Sequence, residues 1–357
     1  MRNSAIFIAF AAGATAFAAC AAFVALTGVP GVAQTISGGP ITGAIFDPPT
    51  HSIRSIMGVP GAAYLGTSAA ATWDIAMPSP DGKRAVALRA AELNLIADLS
   101  QPDTATDIGG VIEAVDRVVW SADSSTAVLY SSRSNQLQRV IGLNSATPAI
   151  QAPVDLSTAG GVSGWAVSPD GNSVAYAANG SVSLAGSSSA PISLGSFGDP
   201  RAVAFSSDGA SVFVFDRAAQ KISRVATASG ATLDSFAASP NTSDPVASSS
   251  VPAGIHRRMP SLRRTPQTDI RDLAATSDGA KLLAVRADAL CVYDLSRATP
   301  DRCDSLDVSP ASIQAIGPRI FVLNYPRTAG RPVWLWDNSA GSVFFVPSGR
   351  SATNVPN

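Results

Sequence analysis

Few side chains in this 357-residue chain are equipped for acid–base, nucleophilic or metal chemistry, and they are scattered. His51 and His256 are the only histidines, and two distant imidazoles do not make a zinc site. Glu92 and Glu113 are the only glutamates. No Gly-x-Ser-x-Gly elbow signals a hydrolase nucleophile. No phosphate-cradling or dinucleotide-binding glycine loop follows a strand and opens a helix. No cofactor or metal is expected, and no catalytic residue is assigned. Two features remain. His256, Arg257, Arg258, Arg263 and Arg264 form a basic cluster, with Arg271 beyond it. It reads either as a docking patch for an acidic partner or as a solvated loop. Cys291 and Cys303 flank a strand–turn–strand stretch. They are candidates for a cross-strand disulfide, with two unpaired thiols on adjacent strands as the alternative.

Asp residues are more numerous, and their setting is regular. Ser-Pro-Asp-Gly occurs at 79–82 and 168–171, Ser-Ala-Asp-Ser at 121–124, Ser-Ser-Asp-Gly at 206–209 and Thr-Ser-Asp-Gly at 276–279. Asp81, Asp123, Asp170 and Asp208 follow one another at about forty-residue intervals, and Asp278 comes after a longer gap. Calcium would need several carboxylates within a few residues, and none accompany these aspartates. The residue types instead specify tight turns. Gly82, Gly171, Gly209 and Gly279 can take positive φ without a Cβ clash. The carboxylate of Asp accepts backbone N–H groups inside the turn, and the preceding Ser or Thr adds a weaker bond. Ser124 replaces the glycine in the second copy and weakens that signal.

Such turns need strands on both sides. Apolar residues alternate before them, at Val118 and Trp120, Trp165 and Val167, and Val203 and Phe205. In the first copy Ile75 and Met77 sit one position out of phase. After the turns come near-continuous apolar runs, at 85–88, 127–130, 174–177, 212–215 and 282–285. Strands covered on both faces have that pattern. At such positions Trp120, Trp165, Phe205, Phe213 and Phe215 read as core rather than as pocket lining.

Hairpins recurring at this period predict an all-β propeller. Repeats cover 73–115, 116–157, 162–197, 200–238, 270–308 and 311–347. The last uses Gly317-Pro318 in place of Asp-Gly. Three apolar pieces at 41–67 precede them. Six repeats plus these strands favour seven blades, with six as the alternative. Strands from the two chain ends are expected to pair where the ring closes. A polar insertion at about 239–269 accounts for the longer gap.

Residues 5–28 are almost wholly apolar after a short basic leader, and small residues precede Gln34. Residues 1–33 therefore read as a secretory signal peptide, with an uncleaved membrane anchor as the alternative. The domain then spans 36–350, with a tail at 351–357. Charged residues make up 14% and net charge is −1, which gives no reason to expect nucleic acid. Export favours a disulfide between the two cysteines. A monomer is expected, touching membrane only through the N-terminal segment if that is retained.

The Ser-Pro-Asp-Gly-Lys run at 79–83 and its relatives resemble the WD40-like and YVTN-type repeats of bacterial extracytoplasmic propellers. Trp336-Asp337 is the one Trp-Asp pair placed as in eukaryotic WD40 repeats. The resemblance covers most of 40–347 and is specific for fold, not for function. It implies a periplasmic or secreted protein. One expectation is a non-catalytic module presenting loops to a protein or glycan. The other is a lactonase-like or quinone-dependent dehydrogenase-like enzyme acting through the central channel. Convergent polar groups at the channel mouth would favour the enzyme.

Overall fold

The computed structural model describes residues 40–186, 190–238, 269–297, 300–306, 308–324 and 331–348. Contact clustering divides the chain into Met1–Ser37 and Gly38–Asn357. All described residues belong to the second unit.

Seven antiparallel sheets follow in chain order. Blade 1 is β1 (Ile41–Asp47), β2 (Ser52–Met57) and β3 (Tyr64–Ser68). Blade 2 is β4 (Ile75–Pro78), β5 (Ala85–Arg89), β6 (Glu92–Ile96) and β7 (Thr106–Gly110). Blade 3 is β8 (Arg117–Trp120), β9 (Ala127–Ser131) and β10 (Gln136–Ile141), edged by the short β11 (Ala149–Ile150) and β12 (Val154–Asp155). Blade 4 is β13 (Val162–Val167), β14 (Val174–Ala178), β15 (Ser181–Ala185) and β16 (Ile192–Ser196). Blade 5 is β17 (Pro200–Phe205), β18 (Ser211–Asp216), β19 (Lys221–Ala226) and β20 (Thr232–Ala237). Blade 6 is β21 (Ile270–Ala275), β22 (Lys281–Arg286), β23 (Ala289–Asp294) and β24 (Pro300–Ser305). Blade 7 is β25 (Gln314–Ala315), β26 (Ile320–Val322), β27 (Val333–Asp337) and β28 (Ser342–Val346). The only described helix is a 3₁₀ turn at Ser157–Ala159. The chain folds as a seven-bladed β-propeller.

Seven apolar clusters fill the seven interfaces between neighbouring blades. The second strand of each blade supplies both of its neighbours. Val212 and Val214 of β18 join the cluster shared with blade 4, while Phe213 and Phe215 join that shared with blade 6. Side chains alternate across a strand, so a strand buried on both faces must be apolar throughout. That is the origin of the continuous runs. Burying an aromatic such as Phe213 stabilises by about 2–3 kcal/mol. In β4 the buried positions are Ala76 and Pro78, not Ile75 and Met77. The alternation thus stays in phase with the other blades, with smaller residues at the core positions.

Blade 1 closes the ring by packing. Ile45, Ile56 and Leu65 meet Ile316, Val322, Leu335 and Val346 of blade 7. Among the described residues no strand from one end of the chain pairs with a strand from the other. Complementary apolar faces of the described strands of blades 1 and 7 join the ring there, and both chain ends beyond them lie outside the described residues.

Candidate functional site

Each repeat turn is built around a buried hydroxyl. Ser79, Ser121, Ser168, Ser206 and Thr276 donate to the turn aspartate at 2.5–2.6 Å. Each hydroxyl also accepts the N–H of the residue five positions on, at 2.9–3.1 Å. The aspartate in turn accepts the N–H two positions after it. The hydroxyl thus carries more of the turn than its weak intrinsic turn preference indicates. Both carboxylate and hydroxyl are engaged locally, so these aspartates shape turns.

The turns also bind blade to blade. The backbone N–H of Asp81 donates to Ser124 Oγ at 3.1 Å, and that of Asp123 to the Pro169 carbonyl at 3.1 Å. Ser277 Oγ donates to the Pro318 carbonyl at 3.2 Å. Ser124 holds φ at +59°, so a serine performs here the backbone role that glycine has in the other copies.

The first strands of blades 3 to 6 lie innermost, where β13 touches β8 and β17, and β17 touches β21. Ser163 Oγ donates to the Pro200 carbonyl across one such contact at 2.6 Å. The strands crowd: a Cβ on Gly164 would lie 2.5 Å from the Arg201 carbonyl oxygen. Two residues before each turn hydroxyl they carry Met77, Val119, Ala166, Ala204 and Ala274. At that position the inner strands of blades 2 to 6 are therefore apolar and mostly small, and these side chains pack with the clusters between blades.

Two charged residues on inner strands of different blades stand out from this pattern. Asp272 lies on β21 and Arg117 begins β8. Asp272 is half-buried, and its carboxylate is only partly solvated. That poor solvation pushes its carboxyl up to about 6, against the N–H groups of Ile313 and Leu273 and the positive charge of Arg117. Both N–H groups bond its oxygens at 2.9 Å. The sequence gives one signal for it, two adjacent charged residues, Arg271 and Asp272, near the start of an inner strand that is otherwise apolar.

A cavity of about 480 Å³ opens between blades 5 and 6 on the turn side, lined by Ser206–Asp208, Arg224, Gly279, Ala280 and Asp294–Ser296. Its charged groups are already engaged. Asp208 accepts from Ser206, Asp294 from Ser296, and Arg224 Nε donates to Ser211 Oγ at 2.8 Å.

Cys291 and Cys303 face each other across β23 and β24 and are joined by a disulfide. His51 sits in the β1–β2 turn, where Nδ1 is 3.1 Å from the Trp73 carbonyl. Glu92 and Glu113 are exposed. Trp336 is buried and Asp337 caps its turn through Ser339. His256, Arg257, Arg258, Arg263 and Arg264 lie outside the described residues, as do 1–33, most of the 239–269 insertion and the 351–357 tail. Among the described residues no three His, Cys, Asp or Glu gather as metal ligands, and no helix is long and apolar enough to cross a membrane.

These titrations make stability depend on pH in two opposed ways. Hydrogen bonds from Ser168, Ser206 and Thr276 hold Asp170, Asp208 and Asp278 below the usual carboxylate range. That stabilisation is present above the unfolded value of about 4 and is lost as pH falls through the folded values. Asp272 is raised, so its effect is reversed. Between about 4 and about 6 the folded state binds the extra proton, and stability falls as pH rises. Urea midpoints should therefore peak near pH 4–5. A midpoint rising steadily from pH 4 to 7 would refute this.

No family model matches the chain, and no curated protein matches it. Among solved structures, a functionally unknown protein from Desulfotomaculum acetoxidans is similar, with a TM-score of 0.56 and 13% identity over 85% of this chain and 94% of that one. Hydrazine synthase from Kuenenia stuttgartiensis superimposes with a TM-score of only 0.35, at 15% identity over 53% of this chain and 50% of that one. The first likeness establishes fold alone.

Proposed function

We propose that this chain is an exported, non-catalytic propeller that binds a protein or glycan partner at the cell envelope. The make-up of the inner wall carries this reading. The described inner strands offer apolar and small side chains two residues before each turn hydroxyl, and the oxygens of Asp272 are already held by backbone N–H groups. A ring of this kind scaffolds loops rather than assembling an acid–base set. The repeat resemblance to bacterial extracytoplasmic propellers and the Cys291–Cys303 bridge fit an oxidising compartment. The basic residues at 256–264 are the proposed docking patch. Residues 238–269 join β20 to β21, whereas 197–199 suffice between β16 and β17.

A pull-down from envelope extract with and without residues 240–268 tests this. The shortened chain should keep its melting transition, because shortening a long connection between strands changes closure entropy by only about 1 kcal/mol. It should lose a partner that the full chain retains and that salt releases. Equal recovery by both chains would remove the basic patch from the account.

One feature favours the enzyme reading, namely the Asp272 carboxyl on an inner strand, which partial burial pushes up to about 6. Turnover of a lactone panel that disappears in Asp272→Asn would establish it.

A further inference from the structure

The cavity between blades 5 and 6 arises from two local departures from the repeat. Its volume is about 480 Å³, and small-molecule sites run from about 300 to 1,000 Å³. The first departure is Arg224. Arg139 of β10 and Arg224 of β19 hold equivalent places, opposite Val128 and Phe213, and each of these stands seven residues after its turn hydroxyl. Arg139 reaches out of its blade and is buried there. Its Nη1 donates to the Asn172 carbonyl, in the turn of the next blade, at 2.7 Å. Arg224 stays within blade 5. Its Nε donates to Ser211 Oγ at 2.8 Å, its Nη1 lies 3.9 Å from Asp234, and its guanidinium lies over the Phe213 ring. The groove that Arg139 fills between blades 3 and 4 is thus open between blades 5 and 6, with Arg224 on its wall.

The second departure is Ala210. In the other repeats a side chain takes the second oxygen of the turn aspartate: Arg84 at Asp81, Ser125 at Asp123, Asn172 at Asp170 and Asn338 at Asp278. Two residues after Asp208 stands Ala210, whose side chain has no donor. Asp208 holds its turn through Oδ1, which accepts from Ser206 and the Ala210 N–H, and Oδ2 faces no side-chain donor among the described residues. Asp294 is held in the same way. Ser296 donates to Oδ1 through N–H and Oγ, and Arg297 Nε lies 3.9 Å from Oδ2. Hydrogen bonds from Ser206 and Ser296 keep both carboxyls below the usual range, so both are charged at neutral pH. Ser207 adds a hydroxyl, beside Gly279, while Ala280 and Leu295 add apolar surface.

The wall therefore presents acceptors from Asp208 and Asp294, donors from Arg224 and a hydroxyl that can do both. Its charges oppose a simple ion. The two carboxylates disfavour an anion, while Arg224, together with Lys281 and Arg297 beside Asp294, disfavours a cation. A neutral ligand rich in hydroxyls suits both signs, because each hydroxyl can donate to a carboxylate and accept from a guanidinium. We infer that this cavity binds a neutral sugar unit, its hydroxyls shared among Asp208, Asp294 and Arg224 and its ring against Leu295. The site has no residue in common with the basic cluster at 256–264, so it holds or fails independently of that patch.

Amide-resolved NMR titration of the full chain tests the inference, with glucose, galactose, N-acetylglucosamine, methylammonium and acetate as separate probes. At least one sugar should bind saturably, with a Kd on the order of 1–10 mM, and should move the amides of 206–210 and 294–296. Asp208→Asn keeps an oxygen for the turn and puts an N–H donor in place of Oδ2. It should weaken that sugar by about tenfold or more. Asp170→Asn makes the same change away from the cavity and should leave binding unaltered. Ala280→Trp, at an exposed position on the cavity wall, should abolish binding and keep the melting transition. Should Asp208→Asn fail to fold, Ala280→Trp decides alone. Sugar binding that survives Ala280→Trp would overturn the inference. So would equal losses in the two Asp→Asn variants, or no saturable change with any sugar up to about 100 mM. Saturation at the cavity by methylammonium or acetate, with none by the sugars, would show an ion site and refute it as well.

Discussion

Gly171→Ala should lower stability by about 2–5 kcal/mol, read as a shift in the urea midpoint. Two effects combine at this position. Gly171 holds φ at +72°, where a Cβ costs about 1–2 kcal/mol. The added Cβ would also lie 2.3 Å from Thr126 Oγ1 and 2.4 Å from Thr126 Cβ, on the neighbouring blade. Overpacking of that kind costs about 1–3 kcal/mol more. Gly341→Ala is the matched control. Gly341 has φ of +60°, and a Cβ there would meet nothing within 4 Å, so it should lose only the backbone share. Equal losses at the two positions would show that the turns do not interlock.

Cys303→Ala should cost about 3 kcal/mol. The bridge closes a short loop, with the two cysteines 12 residues apart, and it limits the freedom of the unfolded chain. Cys291 lies fully buried in the cluster between blades 5 and 6, so its freed thiol stays in an apolar setting. A reductant should bring the parent protein to the stability of the variant and leave the variant unchanged. A loss under about 0.5 kcal/mol would place the stability of blade 6 in its packing alone.

The repeat could be read from the chain because its signals are local. Asp-Gly turns and the apolar runs after them involve neighbouring residues, so the blades from 73 to 347 were legible. Blade 7 lacks the Asp-Gly turn and was traced through Gly317-Pro318. The packing that closes the ring was not legible. It joins Ile45 and Ile56 to Ile316 and Val346, at opposite ends of the chain. Asp272 was missed for the same reason. What perturbs its carboxyl is the ring around it, including Arg117 of blade 3 and the Ile313 N–H of blade 7. Neither partner is near it in sequence. Among the turn residues the hydroxyl was underrated, because its second bond reaches the far side of the hairpin.

The interface between blades 1 and 7 sets the order in which the protein can be made. It joins Ile45, Ile56 and Leu65 to residues from Ile316 to Val346. During synthesis the amino-terminal face of blade 1 has no cover until nearly the whole chain has emerged. Blades 2 to 6 can stack as they appear, each on the one before. The growing arc then carries two bare apolar ends, and those ends are complementary to each other. Two arcs on neighbouring ribosomes could join as readily as one arc closes on itself. Exposed apolar faces of this kind are where cover by chaperones acts on a nascent chain.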